Sequence, residues 1–178
     1  MGIFKQRIVS KREIPLVFAA CVVPIYSWSI IRFFDRITGW LYFLNIWEIL
    51  SIFAYTVVFA LLESLLLLLA VILLATVLPD RFFRDRFVPH GTSAVLLVSL
   101  WAVAAQYNDE ALRQWPTRII LFWLMVAVIT IAIPHLITQR NRRVEGAIQS
   151  VSERFVVMLY LYVPITLLSL AVVVLRNV

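Results

Sequence analysis

The sequence predicts an all-α integral membrane protein, a single membrane domain built as a bundle of about five transmembrane helices with an amphipathic interfacial helix on the outer side. Hydrophobic residues make up 63% of the 178-residue chain and charged residues only 15%, a balance that a soluble domain of this size cannot keep off its surface. The run Ser51 to Leu78 contains one charge, Glu63, and neither Gly nor Pro. As a helix it reaches ~42 Å, against a hydrocarbon core of ~30 Å. Four further apolar runs, at about 14–31, 92–107, 119–137 and 155–175, are separated by segments rich in Arg, Pro or Gly.

The first run follows Lys5, Arg7, Lys11 and Arg12, the flank of a span whose N-terminus stays in the cytoplasm, or of a signal peptide. Phe18-Ala19-Ala20-Cys21 makes a poor lipoprotein cleavage box, because the apolar stretch before it is short. Pro24 removes the hydrogen bond to the Ala20 carbonyl and is expected to kink this helix. In segment 32–48, Trp40, Phe43, Leu44 and Trp47 fall at i, i+3, i+4 and i+7, while Asn45 and Glu48 lie off that stripe. The pattern reads as an amphipathic helix in the interface, in contact with lipid or a partner.

After the central span, Arg81, Arg84 and Arg86 interleave with Phe82, Phe83 and Phe87. Phe rings suit the acyl boundary and guanidinium groups suit phosphates, so these arginines, with Arg140, Arg142 and Arg143 in the next loop on that side, read as anionic-lipid contacts. Pro89-His90-Gly91 reads as a breaker before 92–107, the weakest span at ~24 Å. Trp115-Pro116 opens span 119–137. The polar stretch 140–154 keeps a helical stripe, Val144, Ile148, Val151 and Phe155, that runs into the last span, with Pro164 in its middle.

Five spans place 11 of the 16 basic residues on the side of the N-terminus and 5 on the other. This distribution favours a cytoplasmic N-terminus and an outside C-terminus, in the plasma membrane of a prokaryote. The net charge of +6 then reflects orientation and contact with membrane lipids, and no nucleic acid is expected as a partner. All six Trp residues fall in the outer half of this arrangement.

Glu63 is the one ionisable residue deep in an apolar run. A carboxylate left alone in hydrocarbon costs several kcal/mol or picks up a proton, so partners are expected, with Ser99, Thr130 and Thr166 at similar depth. It reads either as interhelical glue or as a proton, cation or ligand site. His90 and His135 have no acidic or Cys partner at ligand spacing, and Cys21 stands alone, so no metal site and no cofactor is expected. Asp109-Glu110 beside Arg113 reads as a solvated loop. No Gly-x-Ser-x-Gly, His-Glu-x-x-His or Walker-type loop occurs, and no catalytic residues are assigned. The expected function is a non-catalytic multi-pass subunit or scaffold packing against other membrane subunits or copies of itself. The alternatives are a small transporter working through Glu63 and a membrane enzyme acting on lipid.

Overall fold

The computed structural model describes residues 12–77, 87–140 and 142–177, without the side chains of 111 and 131–140. These residues are helical apart from 12–13, 41–45, 108 and 115–116, and no strand occurs among them. Four helices are long and apolar enough to cross a membrane: α1 (Ile14–Trp40), α2 (Ile46–Val77), α3 (Phe87–Tyr107) and α6 (Arg142–Asn177). Between α3 and α6 lie the short α4 (Asp109–Gln114) and α5 (Thr117–Arg140), apolar over Thr117–Thr130.

Helix α1 starts on a Pro in its first turn and continues through Pro24 to Trp40, which corrects the expected boundary near residue 31. The 32–48 segment forms no interfacial helix of its own: Arg32 to Trp40 complete α1, residues 41–45 turn the chain, and Ile46 opens α2. The reason lies in Asn45 and Glu48. The Glu48 carboxylate accepts the Asn45 backbone N–H at 2.8 Å, the returning half of a capping box that starts a new helix at this point. The apolar stripe is thereby split among α1, the turn and α2.

Pro89-His90-Gly91 does not break the chain but forms part of the first turns of α3. Proline is tolerated there because the first N–H groups of a helix have no intrahelical partner. A Cβ on Gly91 would meet both Val17 methyls at 3.3 Å, so its missing side chain lets α1 and α3 approach closely. The polar stretch after Arg140 is helical from Arg142, making α6 one helix of 36 residues that includes Pro164.

Helix α1 is the centre of the bundle, packed against α2, α3 and α6, while α5 packs on α3 and α6. At the end nearer the N-terminus, Val17, Cys21, Val71, Ala75, Phe87 and Val95 form a buried cluster. At mid-height, Val22, Tyr26, Val57, Ala60 and Tyr162 form a second. Buried Ala19, Ala20, Ala54 and Ala60 let the helix backbones come close, the usual means of association where lipid offers no hydrophobic drive.

Polar contacts between helices repeat one device. A hydroxyl donates to a carbonyl three or four residues back on its own helix and accepts from a neighbour. Thr166 donates to Tyr162 O at 2.7 Å, which leaves its oxygen to accept from Tyr26 at 2.8 Å. Ser152 donates to Ile148 O at 3.0 Å and pairs with Thr92 at 2.8 Å. Thr130 donates within its own helix and accepts the Trp101 indole N–H at 2.8 Å. Each bond satisfies a polar group that lipid could not.

Candidate functional site

Glu63 lies ~26 Å along α2, whose 32 residues span ~48 Å, so it sits near the middle of the helix. Its side chain is exposed and, among the described residues, makes no hydrogen bond or ion pair. Of the three hydroxyls expected to satisfy it, two are engaged elsewhere, Thr166 with Tyr26 and Thr130 with Trp101, while Ser99 lines the same groove as Glu63 without a hydrogen bond to it. Thr56, one of the groups near Glu63, donates to the Ile52 carbonyl at 2.8 Å. The bundle is held by other polar groups, and Glu63 is left over.

What surrounds it is a groove. Helices α2 and α3 meet near Val71 and Gly91, while nearer the α1–α2 turn they line a two-part groove with α1. The upper part, of about 330 Å³, is lined by Trp28, Ser29, Arg32, Phe33, Arg36, Trp40, Thr56, Glu63 and Gln106. The lower part, of about 190 Å³, is lined mainly by apolar groups, Pro24, Ile25, Leu67, Val98, Ala102 and Val103, with Ser99. Trp28, Glu63 and Gln106 line both and mark the junction. Below, the buried cluster of Val17, Val71 and Val95 fills the space between the same helices.

The walls are positioned by α1. Trp28, Arg32, Arg36 and Trp40 recur every fourth residue and line one face. The Trp28 indole donates to the Gln106 side-chain oxygen and its ring packs edge-on against Tyr107 at 5.1 Å, tying α1 to the end of α3. The Arg32 guanidinium lies 5.8 Å from the Trp28 ring centroid and 4.0 Å from the Asp35 carboxylate. Arg36 is exposed and makes no ion pair or hydrogen bond among the described residues. Trp40 packs against Phe33 at 5.5 Å.

This groove was only partly legible beforehand. Glu63 stood out as a lone charge, and the four-residue spacing of Trp28, Arg32, Arg36 and Trp40 was present in the sequence. Gln106 carried no signal, because only packing brings α3 beside Trp28. Of the stripe read as an interfacial or partner contact, Trp40 lines the groove, whereas Phe43, 88% exposed, and half-buried Leu44 lie in the turn and Trp47, 78% exposed, in the first turn of α2. Among the arginines assigned to lipid phosphate, Arg81, Arg84 and Arg86 lie outside the described residues. The same holds for the side chain of Arg140, the last residue of α5. Arg142 and Arg143 are exposed at the start of α6.

His90 is buried in the first turns of α3, and the His135 side chain lies outside the described residues. Asp109 is exposed and held by Arg113 at 2.9 Å, with Glu110 exposed beside it, so the segment is solvated as expected but forms the short helix α4 where a loop was expected. The Arg113 hydrogen bonds and charge hold the Asp109 carboxyl below its ordinary range. No cluster of three metal-ligating side chains occurs among the described residues. No family model matches the chain, and no curated protein or solved structure is significantly similar to it.

Proposed function

We propose that this chain is a non-catalytic, five-pass subunit or scaffold of a prokaryotic plasma-membrane complex, and that it contributes a binding groove centred on Glu63. The observation that carries the reading is that carboxylate: central in a membrane-spanning helix, unused by the bundle, and open to a groove. An ionisable group in that position is expensive to keep and marks a site by default. A general acid or base needs a second group converging on the reacting atoms. The groove supplies guanidinium, indole and amide groups instead, which suit recognition.

The fifth span is α5, which remains helical for 24 residues through Arg140 and carries the apolar run 119–137. The basic-residue asymmetry puts the N-terminus in the cytoplasm and the α1–α2 turn, with the C-terminus, outside. The test is purification of the tagged full chain from native membranes in mild detergent, followed by intact-mass analysis. Stoichiometric co-purification of other polypeptides, reduced in Glu63→Leu, is the expected result. A stable lone chain overturns the subunit role.

A second reading, ion-coupled transport, is favoured by the run of the groove: its polar part leads from Trp40 at the end of α1 to Glu63, and the Val17–Val71–Val95 cluster packs the helices beyond it. Transport predicts that Glu63→Gln abolishes flux in proteoliposomes and leaves folding intact. Unchanged flux excludes it.

A further inference from the structure

We propose that the groove receives one transmembrane helix of a different polypeptide, which carries a Lys or Arg opposite Glu63 and an Asp or Glu about two turns farther out, opposite Arg36. The inference rests on the reading of the groove as a binding site in a subunit, and it names the partner by its charges.

The argument begins with what Glu63 lacks. A carboxylate inside a membrane is kept where a cation or several donors meet it, and none does among the described residues. Arg32 shares the groove, but its guanidinium is held on its own helix, 4.0 Å from Asp35 and 5.8 Å from the Trp28 ring centroid. Beside Glu63 the groove adds two more acceptors, the Gln106 side-chain oxygen and the Ser99 hydroxyl. A site of acceptors takes a cation that brings several N–H donors, as Lys and Arg do.

Position decides that the cation comes on a helix. On α2, Glu63 stands at the border between the groove and the lipid-facing side: Phe59, Leu62 and Leu66, all close to it on the helix surface, are 60%, 49% and 64% exposed. A helix laid along the groove covers these side chains together with the carboxylate, and it satisfies its own backbone at that depth. Alongside α1 it meets Arg36, ~12 Å beyond Trp28, the residue that shares the junction with Glu63. Arg36 is exposed and uncommitted among the described residues. At ~1.5 Å per residue the partner's acidic side chain falls ~7–8 residues from its basic one, and positions so spaced share one helix face.

Other occupants lack this order of charges. The runs 14–31, 51–78, 92–107, 119–137 and 155–175 contain no Lys or Arg, so the spans of a second copy of this chain bring no such cation to Glu63. A phospholipid of the outer leaflet has its phosphate outward of its chains and any ammonium farther out still. At the depth of Glu63 it offers only hydrocarbon.

The full chain is reconstituted in phosphatidylcholine vesicles and titrated with a synthetic Leu/Ala membrane helix of about 24 residues. The helix bears a central Lys, a Glu about eight residues toward one end, and a dansyl acceptor for tryptophan emission. Energy transfer is expected to show binding roughly tenfold tighter than for the same helix with Leu in place of Lys. That preference is expected to vanish in Glu63→Gln, with helical dichroism unchanged. Arg36→Gln is expected to weaken the helix with Glu roughly threefold and to leave the same helix with Gln at that position unaffected. Equal binding of the Lys and Leu helices, or a Lys preference that survives Glu63→Gln, overturns the pairing at Glu63. Indifference to Arg36→Gln overturns the outer contact. Loss of binding on adding phosphatidylglycerol assigns the groove to a lipid, self-association of the chain in competition with the helix assigns it to a second copy, and displacement by 6-aminohexanoate assigns it to a soluble zwitterion. Each of these overturns the inference. A native complex whose other spans carry no Lys or Arg at the depth of Glu63 overturns this inference alone, whereas a lone chain that binds the Lys helix selectively overturns the subunit role alone.

Discussion

Replacing Glu63 by Leu is expected to stabilise the ligand-free chain, the opposite of what loss of an interhelical glue residue does. The magnitude follows from its position. Near a helix centre an ionisable side chain costs about 2.5–3.5 kcal/mol on insertion scales, and Leu contributes about 0.3–0.6 kcal/mol in the favourable direction. A side chain facing only lipid would thus gain roughly 3–4 kcal/mol on substitution. Glu63 instead faces a groove with Gln106, Ser99 and Thr56, where polar contacts and water recover part of that cost, so about 1–2 kcal/mol is expected. The assay is reversible unfolding in maltoside micelles titrated with sodium dodecyl sulfate, followed by helical dichroism, with Glu63→Gln as the size-matched control. A glue carboxylate would instead lose about 0.6–1.7 kcal/mol, the range of interhelical hydrogen bonds in membranes. Destabilisation of Glu63→Leu by about 1 kcal/mol or more refutes the reasoning, since it would mean the bundle uses the carboxylate.

Three other outcomes are expected. Ser152→Ala should destabilise more than Thr92→Val, because Ser152 retains its own-helix bond when Thr92 is lost whereas Thr92 is left buried without its partner. A double-mutant cycle should give a coupling of about 0.6–1.7 kcal/mol, and additive effects would count against the bond. Gly91→Leu should cost about 1–3 kcal/mol through overpacking against Val17 and Val71, with partial rescue by Val17→Ala in the same unfolding assay. Asp109, held below its ordinary value by Arg113, supports α4 fully above the unfolded carboxylate pKa of ~3.9 and loses that support as pH falls through its lowered value. Carboxyl NMR should show the low midpoint, and Arg113→Gln should return it to the ordinary range.

Residence in the membrane and the helical class were decided by local composition. Whether Ser51 to Leu78 prefers lipid to water is a sum over its own side chains, and no neighbour reverses it. Helix ends were less legible, because an apolar stripe such as Trp40, Phe43, Leu44 and Trp47 continues across a turn as readily as along a helix. Asn45 and Glu48 held the signal that ends this ambiguity, in the capping geometry they adopt. Pro89-His90-Gly91 was a breaker by propensity and a first turn by packing, since the value of Gly91 lies in the Val17 side chain beside it.

Only the tertiary arrangement decided what Glu63 faces. A buried hydroxyl pairs with whichever donor the bundle brings to it, and Thr166 and Thr130 found Tyr26 and Trp101. Arg32, Glu63 and Gln106 belong to three helices, and no spacing along the chain relates them. The sequence by itself determined that a carboxylate would lie in the middle of a membrane helix. That it faces a groove between α1, α2 and α3, and not another helix, was decided by how those helices separate toward the α1–α2 turn, a property of the packed surfaces rather than of any one segment.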